Sequence, residues 1–122
     1  MTLFDIKNME VAIGRISKSN TLSTGDAYRF MKFYKKYAEE LKIVEDFRQK
    51  LVLRYGVEDP ATKTIVVSPE NLPKFQVDFM EFLMNESELK LEETEKFSLS
   101  LIEHLRFTPE ELVALDPILK EM

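Results

Sequence analysis

The sequence contains no cysteine, only three glycines and a single histidine, and each shortage removes a class of chemistry. Without cysteine there can be no disulfide framework, thiolate nucleophile or zinc–thiolate site. The single histidine, His104, excludes a metal site with two histidines and leaves at most one imidazole base. The glycines lie far apart, so neither a phosphate-binding loop nor a dinucleotide fingerprint can form. We therefore predict no catalytic residue, no metal site, no cofactor and no enzymatic activity.

Long apolar runs and an excess of positive charge are also missing. No apolar run is long enough to cross a bilayer, and the segment MTLFDIKN lacks the basic start and apolar stretch of a signal peptide. The net charge of −5 weighs against nucleic-acid binding, for which a basic surface is typical. The 122 residues, 44% of them apolar, are typical of one soluble domain. We predict a single intracellular domain, residues 1–122, with no membrane partner.

The clearest helical pattern covers residues 23–55. Ser23, followed by Asp26 three residues later, forms a possible capping box. Apolar residues then follow the alternating four- and three-residue spacing that keeps one helix face against a partner: Phe30, Tyr34, Tyr37, Leu41, Val44, Leu51 and Tyr55. Arg48 takes the remaining position of this seam, and we predict that it is partly buried and paired with Glu45 or with an acid of residues 81–95. Gly56 is expected to end the helix in the left-handed conformation.

Shorter elements flank the long helix, and together they predict a mainly α fold with a small β element (α+β). A helix over 8–17 would have Asn8 as its N-cap. Residues 88–102 alternate apolar and polar residues, which predicts a β-hairpin or two short strands, with a short helix in the second part as the alternative. The remaining predicted elements are a strand over 63–68, a helix over 69–86 that Pro73 can delay, and a C-terminal helix over 108–121 that Pro117 ends or restarts.

Charge of each sign is concentrated in a different segment. Arg29, Lys32 and Lys36 share one face of the long helix. An acidic segment, residues 81–95, carries six glutamates against one lysine, and its candidate contact residues are Glu86, Glu88, Glu92, Glu93 and Glu95. These eight residues and Arg48 are the nine candidate interaction residues. The two patches are either solvated faces or surfaces that dock on another copy or another protein, where opposite charge would set the orientation.

Three methionines can be assigned either to the core or to an exposed binding surface. Met31, Met80 and Met84 lie beside the apolar stripes of the predicted helices. We predict that they fill gaps in the core, because methionine is flexible and unbranched. If they are exposed, the same flexibility would suit an adaptable binding groove.

Three segments, in this order, resemble a family of small proteins encoded by tailed phages and prophages of Gram-positive bacteria. They are EELKIVEDFRQKLVLRYG, FLMNESELKLEE and FTPEELVALDPIL, and the resemblance covers the chain from about Leu22 to the end. Its most distinctive features are Arg48 with Tyr55-Gly56, and Leu112 with Ala114-Leu115 before Pro117. The resemblance implies a phage origin, and it transfers no catalytic residue.

Two classes of function are compatible with these features. The first is a non-enzymatic phage protein that acts through protein–protein interaction, as a virion component or a head or tail assembly factor. Its partners would be other phage proteins or itself in a homo-oligomer, in the host cytoplasm during infection or in the virion. The alternative is an early inhibitor of a host defence system, anti-CRISPR-like or other, whose acidic surface imitates nucleic-acid charge and binds a host protein. A small hydrolase or metal enzyme that uses His104 and Glu103 is a third, minor hypothesis.

Overall fold

A computed structural model describes residues 1–120 of the chain. Over these residues the fold is mainly helical with one small antiparallel sheet, which confirms the predicted fold class. The helices are α1 (Leu3–Asn8), α2 (Glu10–Ser17), α3 (Thr24–Tyr55), α4 (Leu72–Leu83) and α5 (Pro109–Leu115). The strands are β1 (Gly56–Glu58) and β2 (Ile65–Val67), and 3₁₀ turns occupy Glu93–Glu95, Leu99–Leu101, Glu103–Leu105 and Asp116–Ile118. Within residues 1–120, none of the helices combines the length and hydropathy needed to cross a bilayer.

The long helix α3 organises the rest of the fold. It spans 32 residues, a length of about 48 Å. The Ser23 hydroxyl caps it by accepting a hydrogen bond from the Asp26 N–H at 3.2 Å. Its buried residues alternate three- and four-residue steps as far as Val44 and then skip one position to Leu51, seven residues on, which gives a near-heptad face: Phe30, Phe33, Tyr37, Glu40, Val44 and Leu51. This face is rotated from the predicted seam, because Phe33 is buried whereas Tyr34 is 41% exposed.

The N-terminal segment contains two helices where one was predicted over 8–17. Thr2 caps α1 through a reciprocal pair of hydrogen bonds with Asp5. Asn8 is the last residue of α1, so its prediction as an N-cap was wrong. The Met9 N–H donates to the Asp5 carbonyl, and the Met9 carbonyl accepts from Ile13, so the chain enters α2 with its backbone bonds satisfied. No side-chain cap is needed at that junction.

Gly56 ends α3 as predicted, but its conformation differs from the prediction. Its backbone is extended, with φ −91° and ψ 161°, and it begins β1. β1 pairs antiparallel with β2, with Val57 opposite Val66 in the register. A strand over 63–68 was predicted, and β2 confirms it; its partner β1 falls in a segment that resembles a turn in the sequence. Asp59 shapes the connection by accepting a hydrogen bond from the Ala61 N–H at 2.9 Å.

The predicted strands over 88–102 do not form among the described residues. The segment instead contains two of the 3₁₀ turns, and Phe97 makes a single parallel bridge to Leu119. The Phe97 N–H donates to the Ile118 carbonyl, and the Lys120 N–H donates to the Phe97 carbonyl, both at 2.8 Å. The alternation of apolar residues here has another cause, because Leu89, Phe97 and Leu101 are buried in the main core from irregular backbone and a 3₁₀ turn, without a strand ladder.

The remaining predicted helices form with shorter bounds. α4 begins at Leu72 and not at Pro69, since residues 68–71 form a turn and Pro73 lies in the first helical turn. A reciprocal capping box between Thr108 and Glu111 starts α5. Pro117 restarts the chain as a 3₁₀ turn, as predicted. Glu121, which falls in the predicted C-terminal helix, lies outside the described residues.

The apolar core is concentrated at the N-terminal half of α3. It joins α2, α5 and the 3₁₀ turns, and its buried members include Met9, Ile13, Phe33, Tyr37, Leu115 and Ile118. The Tyr37 hydroxyl donates to the Ile6 carbonyl at 2.7 Å, and burial raises the pKa of Tyr37. A second, much smaller cluster of Leu3, Val44 and Leu83 joins α1, α3 and α4. The two ends of α3 are therefore packed very differently.

Candidate functional site

Three residues with catalytic potential, His104, Ser98 and Ser100, lie in the C-terminal part of the described chain. His104 is exposed, and its Nε2 lies in hydrogen-bond contact with the Thr21 hydroxyl. Ser98 and Ser100 bond each other at 2.9 Å and make no bond to His104 within the described residues. Among those same residues, no group of three acidic or histidine side chains is placed to hold a metal ion.

The predicted basic face of α3 lines one side of a shallow pocket of about 210 Å³. Arg29, Lys32 and Lys36 line it together with Phe33 and with Leu91, Thr94, Glu95 and Phe97. The Arg29 guanidinium lies 5.4 Å from the centre of the Phe97 ring, and the Lys32 ammonium lies 4.7 Å from that of Tyr28. Glu95, one of the predicted acidic contacts, lines the same pocket. The fold thus brings part of the acidic segment beside the basic face within one chain.

The acidic segment is tied to the fold at several points. Glu86 pairs with the N-terminal ammonium of Met1 at 3.2 Å, and the Glu88 N–H donates to the buried carboxylate of Glu40. The Glu95 carboxylate accepts a bond from the Glu92 N–H at 3.3 Å. The side chains of Glu86, Glu88, Glu92 and Glu95 are exposed; that of Glu93 lies outside what the structure describes. Because lysines and an arginine border this segment, its surface charge is mixed.

Arg48 is half-buried, as predicted, but its predicted pairing is wrong for the part of the chain that is described. Glu45, one proposed partner, instead accepts a hydrogen bond from Lys7 of α1 at 2.8 Å. Arg48 makes no ion pair within residues 1–120, the side chain of Glu93 excepted. Its aliphatic stem accounts for its place in the seam, since the methylenes can cover apolar surface without a partner for the charge.

A surface that the charge pattern did not indicate lies at the far end of α3. We call residues 52–84 the distal arm; it contains the last turn of α3, both strands and α4. Across residues 52–82, all of them described, no side chain is fully buried. The arm nevertheless carries eight large apolar side chains that are exposed: Leu53, Val57, Ile65, Val66, Leu72, Val77, Met80 and Met84. So much apolar surface in one region is typical of an interaction site.

Contacts to α3 and α1 determine which face of α4 is exposed. Phe82 stacks on Phe47 of α3 with ring centres 3.9 Å apart, and Asp78 accepts a hydrogen bond from the Tyr55 hydroxyl, which raises the pKa of Tyr55. Leu83, the one buried residue of α4, packs in the small cluster with Leu3. These contacts occupy one face of α4 and its flank toward α1.

The opposite face of α4 carries a second apolar row, which we call the outer stripe. It consists of Pro73, Val77, Met80 and Met84, at steps of four, three and four residues. Val77 is 57% exposed, Met80 48% and Met84 54%. This is the spacing of a helix that packs along another helix. The sequence could have indicated the outer stripe, because α4 has apolar residues on two faces whereas a helix at the surface of a monomer needs only one apolar face.

The predicted core role of the three methionines is wrong. Met80 and Met84 belong to the outer stripe, and Met31 is 41% exposed beside Tyr34. The alternative interpretation, an adaptable apolar surface, agrees with where the side chains lie.

No family model matches this chain, and neither the curated proteins nor the solved structures compared with it include a match. The resemblance to phage proteins therefore stays a prediction from the sequence.

Proposed function

We propose that this chain acts without catalysis, through protein–protein contact made by the distal arm. The observation that carries the proposal is the outer stripe, because three large apolar side chains about half exposed in a row are costly to leave in water. The main core is complete without them, since it forms at the other end of α3.

Site-specific photo-crosslinking in cells that express the protein tests this proposal. A photoreactive residue at Val77 should give a discrete protein adduct, which mass spectrometry identifies. The matched control is Val113, an exposed valine on α5. The adduct at position 77 should disappear when Met80→Asp is added. Equal adducts from positions 77 and 113, or none from position 77, would contradict the proposal.

The resemblance supplies a biological setting for this contact. We propose that the protein is a component of a phage particle or a head or tail assembly factor, with other phage proteins or further copies of itself as partners. Mass spectrometry of purified particles, and co-purification with capsid or tail proteins, tests the setting. A monomer that is absent from the particles and from their assembly intermediates would contradict it.

The anti-defence alternative has less support from the described surface. It requires a continuous acidic face, whereas Glu95 shares a pocket with Arg29, Lys32 and Lys36, and Glu88 lies beside Lys36 and Lys90. A plaque assay in cells that carry the defence system tests it, and restored plating would favour it over the assembly role.

A further inference from the structure

We propose that the distal arm binds a second copy of this chain, through antiparallel packing of α4 on α4 about a two-fold axis. The inference rests on the proposed function, because it names the partner of the same surface. Its basis is the pattern of apolar and charged residues along the outer stripe.

The outer stripe fits a two-fold antiparallel helix pair. An axis that passes midway between Val77 and Met80 places Val77 opposite Met80 of the second copy, and Pro73 opposite its Met84. The four resulting layers cover about 17 Å of helix. Each layer then joins residues of different size, which allows interdigitation, and the flexible methionines can adapt to their neighbours.

The charges beside the stripe favour the antiparallel direction. Lys74 and Glu81 both follow a residue of the stripe directly, and they are seven residues apart on the same flank of α4. In an antiparallel pair, equivalent flanks face each other, so Lys74 of each copy lies near Glu81 of the other, displaced by two residues or about 3 Å along the helix axis. A parallel pair would place Gln76 near Glu81 and leave Lys74 without an acid. The antiparallel pair thus brings Lys74 and Glu81 together twice, whereas the parallel pair brings no opposite charges together.

Both of these charged groups are available for a partner. Lys74 and Glu81 are exposed, and neither forms an ion pair within the described residues, the side chain of Glu93 excepted. Glu81 borders an open cleft between α3 and α4 that Phe47 and Arg54 also line. The other flank carries Gln76 and Leu83, and Leu83 is already covered by α1. The flank of α4 that stays open to a partner is therefore the one that carries Lys74 and Glu81.

Charge reversal tests the pairing by sedimentation equilibrium over about 1 µM to 1 mM protein. Lys74→Glu and Glu81→Lys should each raise the dimer dissociation constant about tenfold, because each places like charges opposite each other twice. The double variant, and an equimolar mixture of the two single variants, should regain wild-type association. Lys35→Glu, at an exposed position on α3, is the control for net charge.

Apolar-to-acid changes separate this inference from the proposed function. Val77→Asp should abolish the dimer, and Val113→Asp should not. Loss of the dimer in Val77→Asp with no effect of the charge reversals would overturn the antiparallel pairing while the stripe stays the contact surface. A wild-type chain that is monomeric at the highest concentration would overturn self-association, and the crosslink at position 77 would then decide whether another protein binds there.

Methionine oxidation gives a second measurement that needs no substitution. Peroxide should oxidise Met80 and Met84 more slowly above the dissociation constant than below it, because the dimer covers them. Met31 is similarly exposed but lies outside the stripe, so its rate should not depend on concentration. Equal concentration dependence at all three sites, or none at Met80 and Met84, would overturn the inference.

Discussion

At residue 56 the chain leaves α3 and enters β1 with an extended backbone that any amino acid can adopt. Glycine is needed there because a Cβ atom would lie 2.3 Å from the Val52 carbonyl oxygen and 2.5 Å from the Ile65 Cγ2. The last turn of α3 and strand β2 can therefore pack this closely only because residue 56 has no Cβ atom. The helix ends at Gly56 as the sequence predicts, but glycine is required there by close packing and not by a left-handed backbone.

A substitution at Gly56 should therefore be costly even without a left-handed backbone. Gly56→Ala is expected to lower the free energy of unfolding by about 1–3 kcal/mol, because α3 or β2 must shift to remove the overlap. The matched control is Gly14→Ala within α2, where a new Cβ meets no atom within 4 Å. Urea unfolding should show Gly14→Ala unchanged or stabilised by about 1 kcal/mol. Equal effects at both positions would contradict the steric explanation.

Arg48 is a half-buried cation without an ion pair to the described acids. Arg48→Leu is expected to leave the free energy of unfolding unchanged or raise it by about 0.5 kcal/mol, since it removes no pairing and keeps apolar contact. Arg48→Glu is expected to be destabilising, because a shorter charged side chain cannot cover the same apolar surface. Urea unfolding of both variants checks this, and a loss of stability in Arg48→Leu would point to a partner for the guanidinium.

The ion pairs of Lys7 predict a specific pH dependence. The hydrogen bond from Lys7 to Glu45 is the main cause that raises the pKa of Lys7 above 10.5; Glu10 adds to it and desolvation opposes it. Because the folded-state pKa is the higher one, the stability from this group is complete below pH 10.5. It is lost as the pH rises through the folded-state pKa.

Unfolding of two glutamine variants at pH 7 and pH 11 measures this contribution. Glu45→Gln should lower stability by about 0.5 kcal/mol at pH 7 and by less at pH 11, since both groups are partly exposed. Glu10→Gln removes the local partner within the N-terminal segment and should have a smaller effect. A larger effect of Glu45→Gln at pH 11 than at pH 7 would contradict the expected loss of this stabilisation at high pH.

At the scale of elements, α4 is attached to the fold mainly through its C-terminal end. Leu83 is its one buried residue, and the small cluster around it is separate from the main core. The rest of the distal arm depends on half-buried contacts such as the Phe47–Phe82 stack. An element with little buried apolar surface opens at a lower free energy than the core does.

Hydrogen exchange should show this difference directly. Leu83→Ala is expected to cost about 2–4 kcal/mol locally, so that amides of α4 and the strands exchange faster while those around Phe33 keep their protection. Leu115→Ala, at a fully buried position of the main core, should instead reduce protection throughout the chain. Uniform loss of protection in Leu83→Ala would show that the arm and the core unfold together.

At the scale of the whole molecule, the fold pairs a well-packed end with a sparsely packed one. If the second copy covers the distal arm, folding and association are linked, and stability depends on concentration. The melting temperature of the wild type should then rise by about 2–4 °C for each tenfold increase in protein concentration. Val77→Asp should remove this dependence, and Val113→Asp should retain it. Differential scanning calorimetry checks the prediction; a melting temperature independent of concentration would contradict the linkage.

The sequence by itself determined the elements whose signals are local. Ser23 and Thr108 mark helix starts because their hydroxyls satisfy N–H groups two or three residues away. Pro117 ends α5 because proline lacks the N–H that a helix needs. The helical core positions around Phe30 and Tyr37 follow from periodicity, since a helix places every third or fourth side chain on one face.

Tertiary structure decided the features that depend on distant partners. α1 is held by bonds from Leu3 to Asn85 and from Ser87 to Met1, which no local pattern encodes. Phe97 pairs with the C-terminal segment and not with a neighbouring strand, so an alternating pattern became core-facing turns. The outer stripe became visible only when α3 and α1 had covered the other faces of α4. Helical spacing shows which residues share a face, but only packing determines which face is left exposed.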